Sequence, residues 1–364
     1  MKILLVVHRF NPDFGGVEVT AELIARGLVE RHGHEVTIVT HTRETNRDET
    51  FPFKILREPS RRKLIEAHKW ADVVMHNNPC LRFAWPLAMV RRPWLIALRS
   101  WITLPGEALT PIQSMKYELK YGVVERADKL VSNSRALAGH VRPPVEVIHN
   151  SYRDKIFYDK GETRERQGIA YLGRLSADKG IDLLIEAVAR LKAAGHKPKL
   201  TLIGGGDQLD VIESQIARLG LSQDVYLAGQ RKGLEINDLL NRNTIAVVPS
   251  RIPEPFGTVT IENAAAGCAT LVANHGGLPE AIGSAGLLFT PNDVDDLTAQ
   301  LERLFTDDDL VAHLREASKE HVVHYRQHVM IDKFESALRQ TVDIFESKKR
   351  KSVDADESPE KVDA

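Results

Sequence analysis

Residues 245–262 read Ile245-Ala246-Val247-Val248-Pro249-Ser250-Arg251-Ile252-Pro253-Glu254-Pro255-Phe256-Gly257-Thr258-Val259-Thr260-Ile261-Glu262. The first six residues form an apolar run of strand type, and a helix-like run follows, Asn263 to Gly267. Between them lies a loop that opens a helix, with one acid on the loop and one in the helix's first turns. The free N–H groups of such a helix start suit an anion. The two acids suit hydroxyls on either side of it. A ligand with hydroxyls flanking a diphosphate, as in a nucleotide-sugar, has that pattern.

The same strand–loop–helix sign recurs outward from this stretch. Short apolar runs at Ile3–His8, Glu35–His41, Phe53–Glu58, Asp72–Asn77, Trp94–Arg99, Lys129–Asn133 and Val145–His149 alternate with helical periodicity. Helices are expected over Val17–His32, Ser60–Trp70, Leu81–Arg91 and Ile112–Arg126. A second series begins at Ile169–Leu172 and continues through Lys199–Ile203, Val225–Ala228, Ile245–Pro249 and Thr270–Ala273. Alternation of this kind predicts parallel βαβ units, α/β in class. The polar stretch Ser151–Gln167 is the linker candidate.

The 364 residues are too many for one ordinary core, so two domains are expected. We expect a first Rossmann-like domain over 1–155 and a second over 165–325. A terminal helix over 326–346 and a disordered charged tail over 347–364 complete the chain. The formal net charge is −1, which gives no global pull toward nucleic acid. Residues 1–150 hold 22 Lys and Arg against 16 Asp and Glu, and the remainder 27 against 34. A basic first half suits an anionic acceptor or a membrane surface, and equally a solvated charged face. Cys80 and Cys268 are the two cysteines; alone they build neither a disulfide framework nor a Cys-based metal site. The apolar N-terminal run is too short for a signal peptide, and no run approaches the roughly 20 residues of a membrane span. A cytoplasmic protein is expected, touching a membrane peripherally at most.

Four glycine-bearing loops follow expected strands. Pro12-Asp13-Phe14-Gly15-Gly16-Val17-Glu18 opens the first helix. It is not Gly-x-Gly-x-x-Gly, so a nicotinamide enzyme is disfavoured. Gly173-Arg174-Leu175-Ser176-Ala177-Asp178-Lys179-Gly180 carries a guanidinium and an ammonium suited to a diphosphate without metal. Gly204-Gly205-Gly206-Asp207 lets a backbone approach a ligand or another segment. Gly276-Gly277-Leu278-Pro279-Glu280 sits at the same sheet edge. Together they outline a crevice at strand carboxyl ends.

Taken in order, Gly15-Gly16-Val17-Glu18, Gly173-Arg174-Leu175 with Lys179-Gly180, the Glu254–Glu262 pair and Gly276-Gly277-x-Pro279-Glu280 resemble the family-four retaining glycosyltransferases of the GT-B fold. The resemblance implies two doubly wound domains facing across a cleft, and metal-independent transfer of a sugar from a nucleoside-diphosphate sugar to a hydroxyl. It implies that the departing phosphate takes the acceptor's proton on the front face. Glu262 would hold the donor ribose, and Glu254 would sit beside the transferred sugar. Arg174 and Lys179 would hold the diphosphate with Gly15, Gly16 and the backbone at Phe256, Gly257 and Thr258. Gly229 and Arg231 would meet the nucleobase. The expected catalytic residues are Glu254, Arg174 and Lys179, with no metal and no cofactor. The acceptor would be a saccharide, a lipid-linked sugar or a small molecule.

The sequence departs from the family where many members carry a His near the reacting sugar, for here stand Arg99-Ser100-Trp101. His76 and Arg99 are the acceptor-side candidates. Two alternatives stay open: a GT-B sugar-nucleotide epimerase, and a sugar-nucleotide-binding protein without turnover. Asp293-Val294-Asp295 is read as a helix cap rather than a metal motif. Trp85, Trp94 and Trp101 with Arg82, Arg91 and Arg92 read either as an interfacial patch or as ordinary packing.

Overall fold

The computed structural model describes residues 1–12, 15–43, 50–161 and 166–356. The chain divides into two units, Met1–His149 with the segment from His328 onward, and Asn150–Gln327.

The first unit holds seven strands: β1 (Lys2–Val7), β2 (Glu35–Thr40), β3 (Lys54–Arg57), β4 (Val73–Asn77), β5 (Trp94–Leu98), β6 (Lys129–Ser132) and β7 (Glu146–Val147). All pair in parallel, in the order β3-β2-β1-β4-β5-β6-β7. β1 is apolar from Ile3 to Val7 because both faces are covered there. Ile3, Leu5 and Val7 point to the layer holding helix Gly16–Glu30 and the terminal helix, with Ile24, Leu28, Phe334 and Leu338. Leu4 and Val6 point to the opposite layer, with Leu64, Trp94 and Val124. The two-residue period of a strand thus sorts one hydrophobic run between two cores.

The second unit repeats the topology with six parallel strands: β8 (Ile169–Leu172), β9 (Leu200–Ile203), β10 (Val225–Gly229), β11 (Ile245–Val248), β12 (Ala269–Ala273) and β13 (Gly286–Phe289). Their order is β10-β9-β8-β11-β12-β13. Winding reverses between β8 and β11, so the loops leaving these two strands are neighbours. Crevices in open α/β sheets form at that reversal.

Three expectations need correction. Leu81–Arg91 is not a helix but two short 3₁₀ turns, Leu81–Phe83 and Trp85–Ala88; Pro86 lacks the N–H that an α-helix needs there. Ser151–Gln167 is not a plain linker. Tyr152 and Phe157 are buried in the core of the second unit, the apolar residues having been masked by charged neighbours. The last helix continues to Asp356, well beyond residue 346. Residues 347–356 lack Gly and Pro and are rich in helix formers, and Lys348 bonds Asp128 at 2.9 Å. The rest of the expected tail, 357–364, lies outside the described residues. β13 and the short helix Leu278–Ile282 carry too few residues for a periodic signal.

Candidate donor site at the strand reversal

Backbone hydrogen bonds stitch the strand-end loops of the second unit together. Gly204 N–H donates to Gly229 O at 3.0 Å, Leu175 N–H to Gly205 O at 3.0 Å, and Gln208 N–H to Leu175 O at 3.0 Å. Arg251 N–H donates to Asp178 O at 2.8 Å, and Gly277 N–H to Glu254 O at 2.8 Å. The loops after β8, β9, β10, β11 and β12 are therefore one continuous rim. Glycines allow the close approach. At Gly180, φ is +65°, and a Cβ there would collide with the Pro249 carbonyl. A Cβ at Gly204 would collide with the Gly173 carbonyl. The Gly204-Gly205-Gly206 run thus serves loop-on-loop packing.

Lys179 and Glu254 meet on this rim. The Lys179 ammonium donates to Glu254 Oε1, and the Ser250 hydroxyl donates to the same oxygen at 2.9 Å. Both ion-pair partners are about four-fifths buried, with side-chain exposures of 18% and 19%. Asp178 lies 3.6 Å from Lys179 and 3.7 Å from Arg174. Burial works against the Asp178 carboxylate, yet the Ser176 hydroxyl, Lys179 and Arg174 hold its pKa below the usual range. Burial, then the Glu254 and Asp178 charges, push the Tyr171 hydroxyl far up. That hydroxyl donates to the Arg174 carbonyl at 2.6 Å and so fixes the backbone beneath an otherwise exposed guanidinium. His275 Nε2 donates to the Ser250 carbonyl at 2.7 Å. Arg174 is mostly exposed beside Asp178, whereas Lys179 is held by Glu254.

Glu262 lies in helix Thr258–Ala265, whose start is Gly257 with φ +87°. Its Oε1 accepts from Arg153 Nε at 3.2 Å and Nη2 at 3.1 Å. Burial raises the Glu262 pKa, with Arg153 opposing. Arg153 in turn lies over the Phe157 ring at 4.9 Å. Thr258 Oγ1 accepts from Asn150 Nδ2 at 3.2 Å. Phe256 is fully buried, so it can offer a ligand only its backbone. Gly229 and Arg231 are exposed at the β10 end of the rim.

Sequence reading missed Arg153, Ser250, Asp178 and His275. Arg153 sits in the stretch read as a linker, and nothing near it in sequence hints at Glu262, 109 positions on. The pairing exists only through the fold.

In the first unit Gly15 and Gly16 open helix Gly16–Glu30 and are exposed; Asp13 and Phe14 of that cluster lie outside the described residues. Val17 O accepts from Asn77 Nδ2 at 3.0 Å, and Asn77 Oδ1 accepts from Arg99 Nε at 3.0 Å. Arg99 is only 4% exposed and lies over Phe334 at 4.8 Å. Burial lowers its pKa to about 9. It is a buried cation that ties three elements, not the presented acceptor contact expected. His76 is likewise corrected to a core residue. It is fully buried against Trp94, and burial lowers its pKa to about 3. The end of β4 turns its ring inward, where sequence cannot tell facing.

His8, His41 and Cys80 bring donor atoms within 4.8 Å of one another. The Arg82 charge reaches both His41 and Cys80 and opposes a dication there. Asp293 caps its helix, accepting from Asp295 N–H at 2.9 Å and Asp296 N–H at 3.0 Å.

Residues 153–321, nearly all of the second unit, match the model of the family described as glycosyl transferases group 1. A glycosyltransferase of Methanocaldococcus jannaschii is 25% identical over 359 residues, spanning 84% of this chain and 90% of its own. Among solved structures, sucrose-phosphate synthase from Thermosynechococcus elongatus superposes with a TM-score of 0.78 at 21% identity, covering 93% of this chain and 98% of that one. Anabaena HepE in complex with UDP and glucose gives 0.75 at 20%, covering 93% and 99%.

Proposed function

From the membership of residues 153–321 in the glycosyl transferases group 1 family, on a chain of GT-B fold, we propose a retaining, metal-independent glycosyltransferase that uses a nucleoside-diphosphate sugar. The observation that carries this reading is the rim holding Lys179 against Glu254 beside Arg174. Two cations there suit a diphosphate whose negative charge grows as it leaves. Support for the donor class comes from the UDP complex of Anabaena HepE.

The chemistry balances without a metal. The bond from the anomeric carbon to the diphosphate oxygen breaks, and the acceptor oxygen bonds that carbon on the same face. The acceptor's proton passes to the departing phosphate oxygen. Arg174 and Lys179 take up the phosphate charge. Glu254, whose Oε1 holds Lys179 and Ser250, offers Oε2 to the sugar hydroxyls. Glu262, fixed by Arg153, accepts from the ribose. Gly229 and Arg231 border the nucleobase, and Gly257 and Thr258 offer backbone N–H groups. In the first unit, Gly15 and Gly16 stand at a helix start, which suits an anion. The acceptor carries a hydroxyl, on a saccharide, a lipid-linked sugar or a small molecule.

Incubation with a panel of sugar nucleotides tests this reading. Slow release of free sugar and nucleoside diphosphate, insensitive to chelator, is expected. Interconversion of sugar nucleotides would make the protein an epimerase, and binding without turnover would make it a dead site; either contradicts the proposal.

A further inference from the structure

Helix Pro111–Val124 is anchored on one side only. Tyr117, Tyr121 and Val124 pack on the core of the first unit, and Tyr121 Oη pairs with Thr103 Oγ1 at 3.2 Å. Of its fourteen residues only Val124 is fully buried. Ile112, Met115 and Leu119 are 76%, 70% and 71% exposed. Their spacing of three and four places them on one stripe. Isolated exposed apolar residues are ordinary, but a contiguous helical stripe calls for a partner.

The charges beside the stripe identify that partner. Lys116 and Lys120 flank it on one side, four residues apart, a spacing at which like charges repel. Burial and then Lys116 lower the Lys120 pKa. On the other flank Glu118 is already neutralised by Arg142 at 3.0 Å. Lys116 and Lys120 have no acidic partner among the described residues, so the face offers apolar side chains and positive charge, the combination that an interfacial helix uses on an anionic bilayer. Of the aromatic cluster read from sequence, Trp94 is buried, Trp101 half-buried and Trp85 39% exposed. No helix among the described residues is long and apolar enough to cross a membrane.

We propose that helix Pro111–Val124 docks the protein on an anionic membrane surface, with Ile112, Met115 and Leu119 entering the interface and Lys116 and Lys120 against the headgroups. The docking refines the glycosyltransferase reading by giving a lipid-linked acceptor a place to be met, but its test needs no turnover.

Sedimentation with phosphatidylcholine vesicles, with and without phosphatidylglycerol, provides that test. The full chain should bind only the anionic vesicles, less so as salt rises. Ile112→Ser/Met115→Ser/Leu119→Ser should abolish binding while leaving the melting temperature and donor hydrolysis unchanged. Lys116→Gln/Lys120→Gln should weaken it roughly thirtyfold. Absence of binding by the parent chain, or equal binding by the triple variant, would overturn the proposal. So would a dimer in light scattering that the triple variant dissolves, because a second copy would then cover the stripe. Donor hydrolysis measured in parallel keeps a failure of docking distinct from a failure of the transferase reading.

Discussion

Arg153 donates from both Nε and Nη2 to Oε1 of Glu262, at 3.2 and 3.1 Å, across 109 residues of chain. Glu262 is almost buried, so the arginine offsets a desolvation cost that the carboxylate could not bear alone. Breaking such a pair from one side is costly. Arg153 is itself 30% exposed, so Arg153→Met should destabilise the fold by about 2 kcal/mol, below the fully buried figure. Adding Glu262→Gln should recover more than half of the loss. Urea unfolding of the single and double variants checks both; an unchanged single variant would contradict the pairing's role.

The same burial makes ligand affinity depend on pH. Glu262's pKa lies above its ordinary 4.5. Folded protein therefore retains a proton there that the unfolded chain has released, and this contribution to stability falls as pH rises from 4.5. If the ionised carboxylate holds the ribose, UDP affinity rises over the same window. Calorimetric titration of UDP against pH should show the rise in the parent chain and lose that component in Glu262→Gln.

Lys179 is the cation that Glu254 holds on the rim, and its removal should cost turnover far more than it costs the fold. Lys179→Ala should lower donor cleavage on the order of 10²–10³-fold, as loss of a preorganised charge-stabilising group does. Circular dichroism should remain that of the parent. Undiminished cleavage would remove Lys179 from the reaction.

His76 is buried without a hydrogen-bond partner for either ring nitrogen among the described residues. Its folded pKa is lowered to about 3 from 6.5. The unfolded chain binds the extra proton, so stability is lost as pH falls below 6.5. His76→Met should raise the melting temperature, and by more at pH 5 than at pH 8. An equal or smaller gain at pH 5 would contradict the buried neutral imidazole.

Strand–helix alternation in the sequence carries the two parallel sheets because buried parallel strands are apolar on both faces, as β1 and β11 are. The Glu254–Glu262 stretch likewise marks a strand, a loop and a helix start. What sequence cannot carry is facing. His76 and Arg99 end strands in the expected place, yet both turn inward. Partners distant in sequence are equally hidden: Arg153 lies in a polar stretch whose Tyr152 and Phe157 reveal their burial only once packed. The terminal helix outran its expected end because charged residues without Gly or Pro read alike as helix and as tail.

Transfer with retention from a nucleoside-diphosphate sugar fixes the configuration of the first product. Proton NMR during cleavage of UDP-glucose, or whichever α-linked donor of the panel is accepted, resolves the anomer formed before mutarotation. A retaining transferase should give the α-anomer with release of the nucleoside diphosphate. Initial appearance of the β-anomer would contradict it.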